Sequence, residues 1–99
     1  MREEKKFRVR LHEKVLNEDL QKLKPTVKDS LLYFITEKLA KKPFSYARPL
    51  RGGVEGYWKV RLGDYLLGFK IVDDILLILS IIPFYKLYDE MLKLRETLH

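Results

Sequence analysis

The chain has 99 residues, a hydrophobic fraction of 46%, a charged fraction of 34% and a formal net charge of +6. That length predicts one domain over 1–99 with a core able to stand without disulfides or metals, and the composition is that of a globular chain. With no cysteine present, disulfide scaffolds, thiolate metal sites and cysteine nucleophiles are excluded, and the cationic excess points to an anionic partner.

The residues from Met1 to Lys6 contain no apolar h-region, so nothing marks the chain for secretion, and a cytoplasmic protein is the expectation. Phe7, Val9 and Leu11 alternate with Arg8 and Arg10, which predicts a first strand over Lys6 to Leu11. From Glu13 the period becomes helical through Leu16, Leu20 and Leu23, until Lys24-Pro25 interrupts, because a residue before proline avoids the α region. A second helix begins at Pro25 or Thr26 with Val27, Leu31, Phe34, Ile35 and Leu39 as its buried stripe. Lys41, Lys42 and Pro43 end it, and the short connection makes the two helices an antiparallel hairpin.

Phe44 to Arg48 reads as irregular and leads into a strand near Pro49-Leu50. Three further strands follow, Tyr57 to Leu62, Tyr65 to Val72 and Ile75 to Ile82, separated by the turns Gly63-Asp64 and Asp73-Asp74. The longest apolar run, Ile75 to Ile82, is too short to span a bilayer, and its lack of alternation predicts cover on both faces. After Pro83, the spacing of Phe84, Leu87, Tyr88, Met91, Leu94 and Leu98 predicts a C-terminal amphipathic helix. Counted without the short strand near Pro49-Leu50, the order is β-α-α-β-β-β-α: a single α+β domain with a twisted antiparallel sheet packed on a helical hairpin.

The central hairpin carries the most information. With Gly63 and Asp64 as turn residues, Leu62 pairs with Tyr65, Arg61 with Leu66, Lys59 with Gly68 and Tyr57 with Lys70. Alternation then sends Trp58, Val60, Leu62, Tyr65, Leu67, Phe69 and Ile71 into the core, and Tyr57, Lys59, Arg61, Leu66 and Lys70 to the other face. A cationic sheet face bearing an aromatic side chain suits RNA, with phosphate held by Lys59, Arg61 and Lys70 and a base stacked on Tyr57. Arg8 and Arg10 extend that surface if the strand order brings them alongside. Leu66 is the apolar exception, and with Leu77, Leu79 and Ile81 it predicts a strip fit for a partner helix or the chain's own C-terminal helix.

The segments LRG, GYWKVRLGDY and GFKIVDDILLIL, followed by a tyrosine in LYD, resemble the RelE/ParE superfamily of toxin proteins over nearly the whole chain. The resemblance implies the toxin of a type II toxin-antitoxin pair, with an acidic antitoxin as partner. In the RelE branch it implies ribosome-dependent mRNA cleavage without metal or other cofactor; in the ParE branch the target is DNA gyrase. Carried over position by position, two basic residues match Lys59 and Arg61, and the closing tyrosine matches Tyr88. The arginine of a G-D-Y-R pattern falls on Leu66, and a second arginine, in an H-R-x-x-x-Y pattern, falls on Phe84.

Metal-free cleavage lets a ribose 2′-hydroxyl attack the adjacent phosphate, which requires a proton acceptor, a proton donor and cations for the growing charge. One missing electrostatic group of this kind costs roughly 100- to 1000-fold in rate, so Leu66 and Phe84 imply an attenuated enzyme. The two histidines do not form a pair: His12 falls at a strand-to-helix boundary as a local cap, and His99 is the last residue. Asp73-Asp74 and Arg51-Gly52-Gly53 read as turns and not as a metal or phosphate-loop site. Two other readings stay open: a non-catalytic protein on the same fold, directed at gyrase or binding only an antitoxin, and a plain basic RNA-binding domain.

Overall fold

A computed structural model describes residues 6–49 and 56–85. Five strands, β1 (Arg8–Leu11), β2 (Arg48–Pro49), β3 (Tyr57–Leu62), β4 (Tyr65–Val72) and β5 (Ile75–Pro83), form one sheet in the order β1-β5-β4-β3-β2. Helix α1 covers 13–22 and helix α2 covers 25–39; a short helical turn, α3 (Pro43–Tyr46), follows. The expected irregular stretch at Phe44 therefore opens as helix, with Pro43 at its first position, where a missing N–H costs nothing.

The β3–β4 register is the one the alternation dictates, residue for residue from Tyr57↔Lys70 to Leu62↔Tyr65. Gly63 has φ +58°, the left-handed value that a two-residue hairpin needs at its first turn position. Val60, Leu67 and Phe69 are buried, and Trp58, Leu62, Tyr65 and Ile71 pack against them. The helical hairpin supplies the other half of the core through Val15, Leu20, Leu31, Phe34, Ile35 and Leu39.

Three features depart from the expectation. The sheet is mixed, because β1 pairs parallel with β5, from Arg8↔Ile75 to Leu11↔Ile78. Alternation fixes which face of a strand is buried but carries no record of its direction, which the connection through the helices sets. Both helices also widen. The last turn of α2, Ile35–Leu39, is a π turn with the Ala40 N–H donating to the Ile35 carbonyl at 2.9 Å. It places Ile35, Leu39 and Ala40 fully out of solvent, and the Ala40 carbonyl accepts the Phe7 N–H at 2.9 Å, tying α2 to the start of β1.

The third departure is a β-bulge in β5. Gly68 pairs with Ser80 and Phe69 with Ile78, which leaves Leu79 as the extra residue. The inserted residue shifts the phase by one, so Leu76, Ile78 and Ile81 face the core. Ile81, expected on the open face, is 3% exposed in the core, and Ser80 and Ile82 take the open-face positions. Of the predicted C-terminal helix, the turn at Phe84 and Tyr85 is helical; the remainder, Tyr88 included, lies outside the described residues. Among the described residues no helix is long and apolar enough to cross a membrane.

Candidate functional site: a cationic sheet face

The sheet buries one face on the helices and leaves the other to be built by residues that neighbour one another across the strands. One row runs Arg10, Leu77, Lys70, Tyr57 from β1 to β3. The next runs Ser80, Gly68, Lys59, Arg48 from β5 to β2. The third runs Ile82, Leu66, Arg61. Arg8 lies at the far corner beside Ile75.

Strand order thus settles the position of the first-strand arginines: they share the face with Lys59 and Arg61 but stand beyond β5, and Arg10 reaches the basic cluster through Leu77 and Lys70. Arg48 was not singled out from the sequence, since a two-residue strand has no alternation to read; its pairing with Lys59 brings it onto the face. Of the expected apolar strip, Leu66 and Leu77 lie on this face, Leu79 stands at the bulge and Ile82 replaces Ile81.

Among the described residues, most of the charge on this face has no carboxylate beside it. Arg8 pairs with Asp74 at 3.0 Å, whereas Arg10, Arg48, Lys59, Arg61 and Lys70 have no carboxylate partner among the described residues. Their neighbours orient them by other means. Arg61 donates through Nε to the Gly63 carbonyl at 3.0 Å, and its guanidinium carbon lies 4.0 Å from the centre of the Phe84 ring. Lys70 Nζ lies 5.4 Å from the centre of the Tyr57 ring. A carbonyl and an aromatic face hold a cation in place without cancelling its charge, which leaves it available to an anion.

Leu66 and Phe84, the two positions where the resemblance calls for arginine, converge on one residue. Leu66 is the cross-strand partner of Arg61, and Phe84 covers its guanidinium. The Phe84 main-chain N–H donates to the Asp64 carbonyl at 2.7 Å, which anchors the ring at the hairpin turn. At the centre of the face, Gly68 and Ser80 leave a shallow floor between Lys59 and Lys70. A Cβ built on Gly68 would stand 2.8 Å from Ser80 Oγ, so any larger residue there forces the serine side chain to shift.

Outside the face, His12 acts as the boundary residue it was read as: its Nδ1 accepts the Lys14 N–H at 3.0 Å at the start of α1. Trp58 lies on the helix side, its ring centre 4.7 Å from that of Phe44. Among the described residues no three of His, Cys, Asp and Glu come together as a metal site.

No family model and no curated protein sequence matches the chain. Solved structures do. The chain is similar to the RelBE2 toxin-antitoxin complex from Mycobacterium tuberculosis, with 28% identity, a TM-score of 0.73, and coverage of 79% of this chain and 98% of the other. It is similar to the archaeal RelE-RelB complex from Pyrococcus horikoshii, with 25% identity, a TM-score of 0.64, and coverage of 80% and 96%. The isolated RelE toxin of E. coli, at 22% identity and a TM-score of 0.62 over 88% of this chain and 96% of that one, shares the fold.

Proposed function

We propose that this chain, a member of the RelE-like toxin superfamily, is the toxin of a type II toxin-antitoxin pair that cuts mRNA on the ribosome with attenuated activity. The observation that carries the reading is the cluster of cations on one sheet face, Lys59, Arg61, Lys70 and Arg48, with no carboxylate partner among the described residues, on a fold whose neighbours are RelE toxins. Two of those neighbours are complexes with an antitoxin. An acidic antitoxin is accordingly the partner we assign, acting in the cytoplasm and seated on the basic face.

In this reading Lys59 and Arg61 stabilise the phosphate as the ribose 2′-hydroxyl attacks, and Lys70, Arg10 and Arg8 hold the strand as it runs toward β1. The 2′ proton leaves to a base and the 5′ oxygen of the leaving nucleotide gains a proton, with Tyr88 the proposed acid-base or stacking group. Arg61 alone has Leu66 and Phe84 beside it where further positive charge would serve the transition state, which is why the rate falls. The test is primer extension on mRNA from a translation extract supplied with the purified chain. Cuts that map to A-site codons support the reading, and their absence at every concentration that binds ribosomes overturns it.

The same pair of apolar neighbours favours a second reading, a toxin-fold protein without catalysis that binds gyrase or only the antitoxin. Inhibition of gyrase supercoiling with translation unaffected would establish that alternative.

A further inference from the structure

The hairpin end of the sheet holds an open recess of about 340 Å³ lined by Arg61, Asp64, Tyr65, Phe84 and Tyr85. Phe84 and Tyr85 both line it, with Tyr85 66% exposed, and Tyr65 joins them from the side that packs against the core. Phe84 is anchored through its main chain to Asp64, and its ring is steadied by the Arg61 guanidinium 4.0 Å from its centre. An aromatic ring paired with a guanidinium offers two planar surfaces of the kind on which unpaired bases stack. Asp64 adds a polar residue to the lining, and a ligand site needs a few of these.

The recess also opens where a nucleic acid strand would arrive. Arg61 belongs both to the recess and to the cationic cluster, and Lys59 stands two residues along the same strand, about 6.6 Å away. A phosphate held by Lys59 and Arg61 would deliver its neighbouring nucleotide to the aromatic end of the face.

We propose that this recess is a stacking pocket for one unpaired base of single-stranded RNA, with Phe84 as its platform. The inference rests on the RNA-directed reading above but is separable from it. It gives Phe84 a purpose of its own: the residue that removes a cation from the site adds a surface that grips the substrate.

The experiment titrates the full chain with a short single-stranded RNA and with a set of the same RNA in which one base at a time is removed to leave an abasic sugar. Loss of the base that enters the recess weakens binding about 5- to 100-fold, the range of one base-aromatic stack. Phe84→Leu removes that dependence, binding intact and abasic RNA alike, while Phe84→Trp keeps it. The new indole is quenched by intact RNA and not by the abasic one, against the background of the native Trp58 on the helix side. Should Phe84→Leu keep the same abasic penalty, or should no abasic position matter in the native chain, the pocket is overturned while RNA binding stands. Failure to bind RNA at all overturns the pocket and leaves the ribosome-dependent reading to the primer-extension test.

Discussion

The Asp19 carboxylate accepts the main-chain N–H of Ile81 at 2.8 Å, across 62 residues of sequence. β1 ends at Leu11, so among the described residues the upper half of β5 has no neighbouring strand on that side, and α1 supplies an acceptor in place of one. Asp19→Ala leaves a partly buried N–H without its partner and lowers stability by about 1–3 kcal/mol in chemical denaturation. Asp19→Asn keeps an acceptor and loses less. Equal losses for the two variants would show that the hydrogen bond is not what Asp19 contributes.

Gly68 and Ser80 form a second coupled pair. Gly68→Ala brings a Cβ within 2.8 Å of Ser80 Oγ and is expected to cost about 1–3 kcal/mol through overpacking. Adding Ser80→Ala removes the obstructing oxygen and recovers most of that loss. Additive effects in the double-mutant cycle would contradict the close approach.

Asp73 has φ +56°, in a region that side-chain-bearing residues occupy at a cost. Asp73→Gly relieves it and is expected to raise the melting temperature, with a gain of at most about 1 kcal/mol. A fall in stability would show that the aspartate side chain supports the turn by more than it strains it.

The cations of the open face make a prediction about ionic strength. If Lys59 and Lys70 each meet a phosphate, Lys59→Gln and Lys70→Gln each flatten the slope of log K against log salt by about 0.7 for single-stranded RNA. Lys22→Gln, on α1, leaves the slope unchanged. Identical slopes in all variants would remove the face from RNA binding.

Restoring charge beside Arg61 tests the attenuation. Leu66→Arg and Phe84→Arg each raise the rate of mRNA cleavage in a translation extract about 100-fold if one missing electrostatic group is supplied. The double variant is the stringent case: if it does not cut, the enzymatic reading fails whatever the native chain does.

The hairpin from Tyr57 to Val72 was legible from the sequence because strict alternation and a Gly-Asp turn leave only one register that buries Trp58, Val60, Leu67 and Phe69 together. β5 was legible as a strand but not in its facing. Eight positions without alternation give no phase, and the bulge at Leu79 shows only in the register of β5 against β4. The convergence of Leu66 and Phe84 on Arg61 was half visible. The first is a register partner, whereas the second depends on how the chain turns after Pro83. Arg48 shows the limit most simply, because a strand two residues long owes its existence to β3.

The pairing of β1 with β5 has a consequence in time. β1 takes its place only after β5 has been made, since Arg8 aligns with Ile75 and Leu11 with Ile78. The β3–β4–β5 meander can zip up locally, but contacts of such sequence separation are slow to form. During synthesis Phe7, Val9 and Leu11 wait with their apolar side uncovered by β5.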